Sequence, residues 1–181
     1  MCRQRLREQM KITYYVATSL DGFIAREDGD VTWLDDINID IADTGYDDFF
    51  ASIDGLIMGR GTYDFVFNYG SWPYGNKPTW VCTSADLKKM EGANLKVVKT
   101  VDDVIQGAES EGLKHLWLVG GGKLASSFIN KGLLTNLSIS EMPVKIEAGI
   151  PLFSDHKLEN LSSENTEILQ KKGFKQIEII L

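Results

Sequence analysis

Short apolar runs alternate with amphipathic segments along most of this 181-residue chain. Runs rich in β-branched and aromatic residues predict strands, and apolar positions three or four residues apart predict helices. The predicted strands are 11–19, 56–58, 79–83, 95–99, 115–119, 133–140 and 174–181. The predicted helices are 43–53, 62–68, 104 to about 112 and 123–131, with a capped helical turn over 84–87. This alternation predicts an α/β fold with a mostly parallel sheet, and the crowded last strands predict an antiparallel edge.

The size and composition of the chain predict one domain. Its residues are 43% apolar and 10% aromatic, which suffices for one substantial core. We expect residues 1–10 to form a flexible leader and residues 11–181 to form the domain. A formal net charge of −7 disfavours nucleic acid and anionic membranes as partners, because both attract clustered basic surfaces.

Targeting segments and metal-ligand spacings are not found in the sequence. No apolar run is long enough to cross a bilayer, and residues 1–10 lack the apolar core of a secretion signal, so we expect a cytoplasmic protein. Cys2, Cys82, His115 and His156 stand far apart, without the spacing of metal ligands. We therefore expect no metal, and two reduced, structural thiols.

A glycine-rich turn is the most informative local feature. The apolar strand 115–119 leads through Gly120, Gly121 and Gly122 directly into the predicted helix that begins with Lys123 and Leu124. Glycines let the backbone approach an anion, and the first amides of a helix have no intrahelical partner. The turn predicts a seat for a nucleotide pyrophosphate, although such turns also serve to bring a helix close to a sheet.

Two further strand exits carry suitable chemistry. Gly59, Arg60 and Thr62 follow the strand 56–58 and offer a flexible backbone, a permanent guanidinium and a hydroxyl. Thr83 and Ser84 place two hydroxyls after the strand 79–83. Taken singly, Thr62 and Ser84 are also typical helix caps and Arg60 a typical solvated charge. Together the three exits predict NADPH, because its 2′-phosphate, pyrophosphate and adenosine need separate seats along one sheet edge.

Four ordered motifs resemble the dihydrofolate-reductase-like superfamily, and most closely its riboflavin-biosynthesis reductase branch, the C-terminal domain of bifunctional deaminase-reductases. The motifs are Ser19-Leu20-Asp21-Gly22-Phe23-Ile24-Ala25, Met58-Gly59-Arg60-Gly61-Thr62-Tyr63, Val119-Gly120-Gly121-Gly122, and Pro143 through Gly149-Ile150-Pro151-Leu152-Phe153. The resemblance covers residues 11–181, and no zinc motif of a cytidine deaminase is present, so it implies a stand-alone reductase domain.

The resemblance implies a three-layer α/β fold with helices on both faces of the sheet, NADPH as cofactor and a homodimer. The implied pyrophosphate residues are Gly120, Gly121 and Gly122, with Lys123 and Leu124 at the start of the helix. Arg60 and Thr62, after Gly59, are the implied phosphate ligands, and Thr83 and Ser84 lie by the adenosine. Ala17 and the loop 20–24 lie by the nicotinamide.

The implied reaction is hydride transfer from the nicotinamide to a C=N bond of a pterin or to an opened ribosyl carbonyl of a riboflavin precursor. A carboxyl group buried near the acceptor, with a raised pKa, could supply the proton. Asp43 is our candidate because it opens the helix before Met58 at a spacing that resembles that of the substrate-binding acid of folate enzymes, with helix capping as the structural alternative. Asp21 and Trp33 are candidate substrate contacts, with a turn and the core as their alternatives.

Two other functions stay open. Glu141 lies twenty-one residues after Gly120, the spacing of the acid that binds a ribose 2′-hydroxyl in NAD-using Rossmann enzymes. A strong preference for NADH would favour that function. A nucleotide-binding sensor without catalysis is the third possibility, because fold and cofactor site do not fix the reaction.

Overall fold

The computed structural model describes residues 10–161 and 164–181. The predicted leader and Cys2 lie outside these ranges, apart from Met10, which packs half-buried against the main core. The strands are β1 (Lys11–Thr18), β2 (Phe23–Ala25), β3 (Gly55–Gly59), β4 (Thr79–Cys82), β5 (Leu95–Val98), β6 (His115–Gly120), β7 (Asn136–Glu141), β8 (Ile150–Pro151), β9 (Thr166–Gln170) and β10 (Lys175–Ile180). The helices are α1 (Tyr46–Ser52), α2 (Arg60–Tyr69), α3 (Val101–Ser110), α4 (Gly122–Asn130) and α5 (Leu158–Leu161), with 3-10 turns at Thr32–Leu34 and Ile41–Thr44.

Eight strands form one sheet in the order β5-β4-β3-β6-β1-β7-β10-β9. The six strands from β5 to β7 run parallel, and β10 and β9 continue the sheet antiparallel. The mostly parallel sheet with an antiparallel C-terminal edge is therefore confirmed. Strands β2 and β8 form a separate two-stranded pair that joins the loop after β1 to the segment after β7.

Helices cover both faces of the sheet, as the three-layer prediction requires. On one face, Val104 of α3 and Phe128 of α4 pack against β-strand side chains such as Ile12 and Leu118. On the other face α2, with Tyr63 and Val66, packs together with the aromatic side chains of α1. Within the described part of the chain, no helix reaches the length and hydropathy that a bilayer crossing needs.

The helix predicted over 43–53 is divided in two. Gly45 adopts a left-handed φ of 75°, which ends the 3-10 turn Ile41–Thr44 and precedes α1. Asp43 therefore lies within the 3-10 turn, whose N-cap is Asp40, and does not cap a helix. The capping alternative for Asp43 is wrong because the left-handed turn at Gly45, directly before α1, separates Asp43 from that helix.

The helical turn predicted over 84–87 is also wrong. The Thr83 hydroxyl accepts a hydrogen bond from the amide of Ala85 at 3.2 Å, which makes a local turn instead. Strands β2, β8 and β9 were not predicted, because β2 and β8 are three and two residues long and β9 is an exposed edge without a buried face. Each obtains its strand geometry from its pairing partner.

Candidate functional site

The carboxyl ends of four neighbouring strands meet at one edge of the sheet. Strands β4, β3, β6 and β1 are consecutive and parallel, and they end at Cys82, Gly59, Gly120 and Thr18. Ligands of open α/β sheets bind at such an edge. The residues predicted to hold a nucleotide follow these ends. We call the following set the strand-exit site: Gly59, Arg60, Thr62, Thr83, Ser84, Gly120 and Gly121.

The exits of β3 and β6 are in direct contact. The ideal Cβ position of Gly59 lies 3.7 Å from the backbone nitrogen of Gly121, and that of Gly120 lies 3.1 Å from the Thr62 hydroxyl. Helices α2 and α4 start here with Gly59 and Gly121 as N-caps, and neither start has a side-chain capping bond. Thr62 is therefore not a cap, and the free amides of two helices are available at one place.

The glycines of the turn have different roles. The peptide bond between Gly120 and Gly121 is cis. A Cβ on Gly122 would collide with the backbone carbonyl of Pro151, so this glycine is required for packing against β8. At Gly121 the nearest atom to an ideal Cβ is the Thr62 hydroxyl at 3.9 Å. Gly121 therefore borders open space, as a position that faces a ligand should.

Arg60 connects the exits of β3 and β4. Its Nε donates to both carboxylate oxygens of Asp64, at 2.7 and 2.9 Å, and its Nη1 donates to the carbonyl of Asp86 at 2.9 Å. Arg60 Nη2 donates no hydrogen bond to any of the described residues. The guanidinium is thus held in place at the edge of the sheet, which differs from the freely solvated charge considered as an alternative. Asp64 stands at i+4 on α2, a spacing that the sequence displays.

Thr83 and Ser84 lie in the loop after β4, on the far side of Arg60 from the glycine turn. Ser84 is exposed, and the helix that it was expected to cap is absent from the described residues. The neighbouring Cys82 is half-buried, and burial, with a smaller contribution from Asp103, raises the pKa of its thiol to about 11. The thiol is therefore protonated at neutral pH, as expected of a structural cysteine.

The end of β1 carries an apolar corner. Ala17 packs against a buried cluster that contains Trp33, Met142, Ile146 and Phe174. Trp33 is only 2% exposed. Among the side chains of residues 10–161 and 164–181, its indole Nε1 is the buried polar atom that lacks a hydrogen-bond partner. An unpaired buried donor is costly, which makes this indole a candidate to donate to a ligand or to water.

Asp21 joins two segments of the backbone. Its carboxylate accepts hydrogen bonds from the amides of Glu147 at 2.8 Å and Ile146 at 3.3 Å. Desolvation acts to raise the pKa of Asp21, but hydrogen bonds from Ser19 and from these amides outweigh it and hold the pKa below its usual value. These bonds agree with the turn role, whereas the predicted substrate contact of Asp21 stays a prediction.

Asp43 lies at a cavity beside the sheet, on the face that α1 covers. The cavity has a volume of about 480 Å³, and its wall includes Asp43, Tyr15, Phe49, Gln176 and Glu178. Asp43 itself is exposed. The expectation that Asp43 would be buried is therefore wrong. Asp43 does border a space large enough for a small ligand.

A group of polar side chains on the same face was missed by sequence reasoning. Ser138 and Ser140 of β7 bond to Gln176 and Glu178 of β10 across the strand pair. We call these four residues the polar patch. Alternating polar positions in both segments are visible in the sequence, but only the register between β7 and β10 shows that they share a face.

Glu141, the acid of the competing NAD hypothesis, lies away from the glycine turn. It ends β7, which β1 separates from β6, and its carboxylate pairs with Lys175 at 2.6 Å. A Rossmann acid follows the strand next to the glycine-rich turn. The position of Glu141 therefore counts against that hypothesis.

This chain belongs to the RibD C-terminal domain family, whose model matches residues 71–176. It is 32% identical over 169 residues to the uncharacterized protein YwjB of Bacillus subtilis, with 93% of this chain and 92% of YwjB covered. It is 29% identical over 171 residues to the uncharacterized protein YyaP of the same organism, with 88% and 89% covered. The family assignment made from the motifs is confirmed.

Solved structures agree with this assignment. A Shewanella sp. PV-4 protein named for riboflavin biosynthesis has a TM-score of 0.74 at 28% identity, over 94% of this chain and 98% of its own. RibD of Acinetobacter baumannii has a TM-score of 0.69 at 14% identity, over 96% of this chain and 58% of its own. At that identity the second likeness shows the fold alone, which is the reductase-like fold of the family.

Proposed function

We propose that this chain is an NADPH-dependent reductase that acts on a small planar heterocycle of the pterin or ribosylaminopyrimidine type. The observation that carries the proposal is the convergence of the strand-exit site. Glycine backbone, two uncapped helix starts, a positioned guanidinium and hydroxyls lie along the ends of three adjacent strands. Such a series of anion and hydroxyl-binding positions fits an elongated dinucleotide better than a single phosphate.

The residues present fit the parts of this cofactor. Open space above Gly121 and the first amides of α4, from Lys123 and Leu124, suit a pyrophosphate. Arg60, with Thr62, suits a 2′-phosphate because a guanidinium keeps its charge and can donate several bonds. Thr83 and Ser84 suit the adenosine side, and the apolar corner at Ala17 suits the nicotinamide. When bound, NADPH supplies a hydride from its nicotinamide C4.

The chain's own residues would orient the acceptor and supply the proton. Trp33 Nε1 is an unused but buried donor in the cluster beside Ala17, so a carbonyl or ring nitrogen of the acceptor would have to enter that apolar corner to accept from it. Asp43 borders the cavity in which the acceptor would lie and is our candidate for the acid.

The proposal is tested by titrating the protein with NADPH and NADH and following protein fluorescence. We expect submillimolar saturation by NADPH. Arg60→Ala should weaken NADPH about tenfold or more, because a charge-assisted bond to the 2′-phosphate is lost, and should change NADH little. Arg26→Ala is the matched control for the loss of an arginine, because Arg26 is also exposed and pairs with an acid four residues on, at Asp30.

Two results would replace the proposal. Absence of NADPH binding removes the reductase function, and tight NADH binding that Arg60→Ala leaves intact favours the NAD-using alternative. NADPH oxidation with pterins, ribosylaminopyrimidines and simple aldehydes then separates an enzyme from a sensor. Binding without turnover across this panel would favour the sensor.

We also propose a homodimer, as the family resemblance implies. Light scattering of the full chain checks it: a particle of about twice the 20.2 kDa chain mass is expected. A monomer at all concentrations would contradict it.

A further inference from the structure

The polar patch lies where a sheet normally carries apolar side chains. Ser138 and Ser140 share the sheet face of Tyr15 and Ala17, with which they pair in register, and Gln176 and Glu178 continue that face on β10. Ser138, Ser140 and Gln176 are each at most 7% exposed. Buried polar groups require partners, and here they are placed together in one network.

The hydrogen bonds of the network fix the orientation of Glu178. The Gln176 amide Nε2 donates to Ser138 Oγ at 3.0 Å and to Glu178 Oε1 at 2.7 Å, while its Oε1 accepts from Ser140 Oγ at 2.8 Å. Ser138 Oγ donates to the same Glu178 Oε1 at 2.6 Å. One carboxylate oxygen therefore holds two bonds. The other, Oε2, receives no hydrogen bond or ion pair from the described residues.

This carboxylate borders a cavity with an aromatic wall. Tyr15 and Phe49, which line the same cavity of about 480 Å³, stack with ring centroids 4.2 Å apart and planes at 10°. The Tyr15 hydroxyl is already used, because it donates to the carbonyl of Thr44 at 3.1 Å. The rest of the lining is mixed, because Lys11, His115 and Lys171 also border the cavity, so Glu178 is one of several polar groups beside the aromatic wall.

The cavity and the apolar corner share one sheet face. Ala17 is paired with Ser140, and Ser140 is paired with Gln176, which lines the cavity. Glu178 is level with Tyr15, and Ala17 lies two residues further toward the carboxyl end of β1, so a bound molecule must extend past Tyr15 to reach the apolar corner where we place the nicotinamide.

We propose that Glu178, held by Ser138 and Gln176, determines substrate specificity by accepting hydrogen bonds from ring or amino N–H groups of a planar heterocycle. The inference rests on the proposed function, because it concerns the substrate side of the same site. An ionised carboxylate has only acceptors, so it selects rings with N–H donors and rejects rings whose nitrogens are alkylated.

The experiment compares two small probes on the full-length protein by calorimetry, with and without NADPH. The probe 2-aminopyrimidin-4-one carries adjacent N–H donors, whereas 1,3-dimethyluracil is of similar size and carries none. We expect the protein to prefer the first by about tenfold or more, because a bond to a charged acceptor contributes more than a neutral one. Equal affinities would overturn the inference without any variant.

Variants assign the preference to Glu178. Glu178→Gln keeps the shape and the Oε1 acceptor but places an N–H donor where Oε2 stood, so it should abolish the preference and leave 1,3-dimethyluracil unchanged. Glu109→Gln, an exposed glutamate of α3 on the opposite face, is the matched control. Circular dichroism and melting verify the fold of each variant.

Asp43 is the other carboxylate that could cause the preference, because it lines the same cavity, and Asp43→Asn tests this alternative. We expect it to change the affinity for 2-aminopyrimidin-4-one less than threefold. If the preference depends on Asp43 and survives in Glu178→Gln, the inference is wrong. The two proposals can fail separately. If the protein prefers the probe with N–H donors through Glu178 but does not bind NADPH, only the proposed function is rejected. If it binds NADPH but shows no such preference, only this inference is rejected.

Discussion

The strand-exit site and the polar patch, as we propose them, recognise opposite chemistry with different parts of the chain. At the strand exits, backbone amides and glycine space are the main elements, and Arg60 supplies the charge. In the polar patch, side chains of β7 and β10 supply every bond. The first site suits anions and the second suits N–H donors, so one sheet can bind both halves of a reductase's reactants.

The comparison teaches which site tolerates change. A backbone site depends on the fold, because parallel strands and helix starts place its amides whatever the neighbouring side chains are. A side-chain site can be altered by one substitution without changing the sheet. We therefore expect cofactor use to be the more constant property of this fold, and the polar patch to set what is reduced.

The largest expected effect separates the two sites. Gly121→Val should weaken NADPH binding about 100-fold or more, because its branched side chain would occupy the open space where two or more charge-assisted bonds to pyrophosphate form. Binding of 2-aminopyrimidin-4-one without cofactor should stay within about twofold of the unsubstituted protein. Both are measured by calorimetry on the purified variant.

The result for Gly121→Val is decisive only if the variant folds, and a melting curve of the purified variant tests this. Its backbone has φ −105°, which side chains adopt freely, and the nearest neighbour of an ideal Cβ lies 3.9 Å away. Undiminished NADPH affinity in a folded Gly121→Val protein would mean that the pyrophosphate is not bound at the glycine turn.

A smaller effect sharpens the distinction within the glycine turn. Gly122→Ala should lower the free energy of unfolding by about 1–3 kcal/mol, because its Cβ would meet the Pro151 carbonyl. Gly61→Ala is the matched control: nothing lies within 4 Å of its Cβ position, and alanine favours the helix, so stability should stay equal or rise by up to ~1 kcal/mol. Urea unfolding measures both.

Equal stability of the two alanine variants would contradict the packing role given to Gly122. In that case all three glycines of the turn would have to be explained by the ligand.

The strand exits could be predicted from sequence because their signals are local. An apolar run followed by glycines and a helix pattern defines Gly120 to Gly122 and Gly59 to Thr62 without any knowledge of distant residues. The order β4-β3-β6, which brings these exits together, was not predicted from the sequence, because it depends on pairing between distant segments. The structure adds the anchors of Arg60 at Asp64 and Asp86.

The substrate side could not be predicted in the same way. The polar patch depends on a register between segments about 40 residues apart, and a shift of one residue would turn Gln176 and Glu178 to the other face. The exposure of Asp43 follows from the left-handed turn at Gly45, whose φ the sequence does not reveal. Burial and an orphan donor at Trp33 depend on packing across the end of β1.

A crystal structure of the protein with NADPH tests the central claim most directly. It should show one extended nucleotide along the ends of β4, β3, β6 and β1, with its 2′-phosphate at Arg60, its pyrophosphate at Gly121 and its nicotinamide at Ala17. A nucleotide bound elsewhere, or one that contacts the glycine turn but leaves Arg60 on Asp64 alone and Ala17 uncovered, would contradict the account.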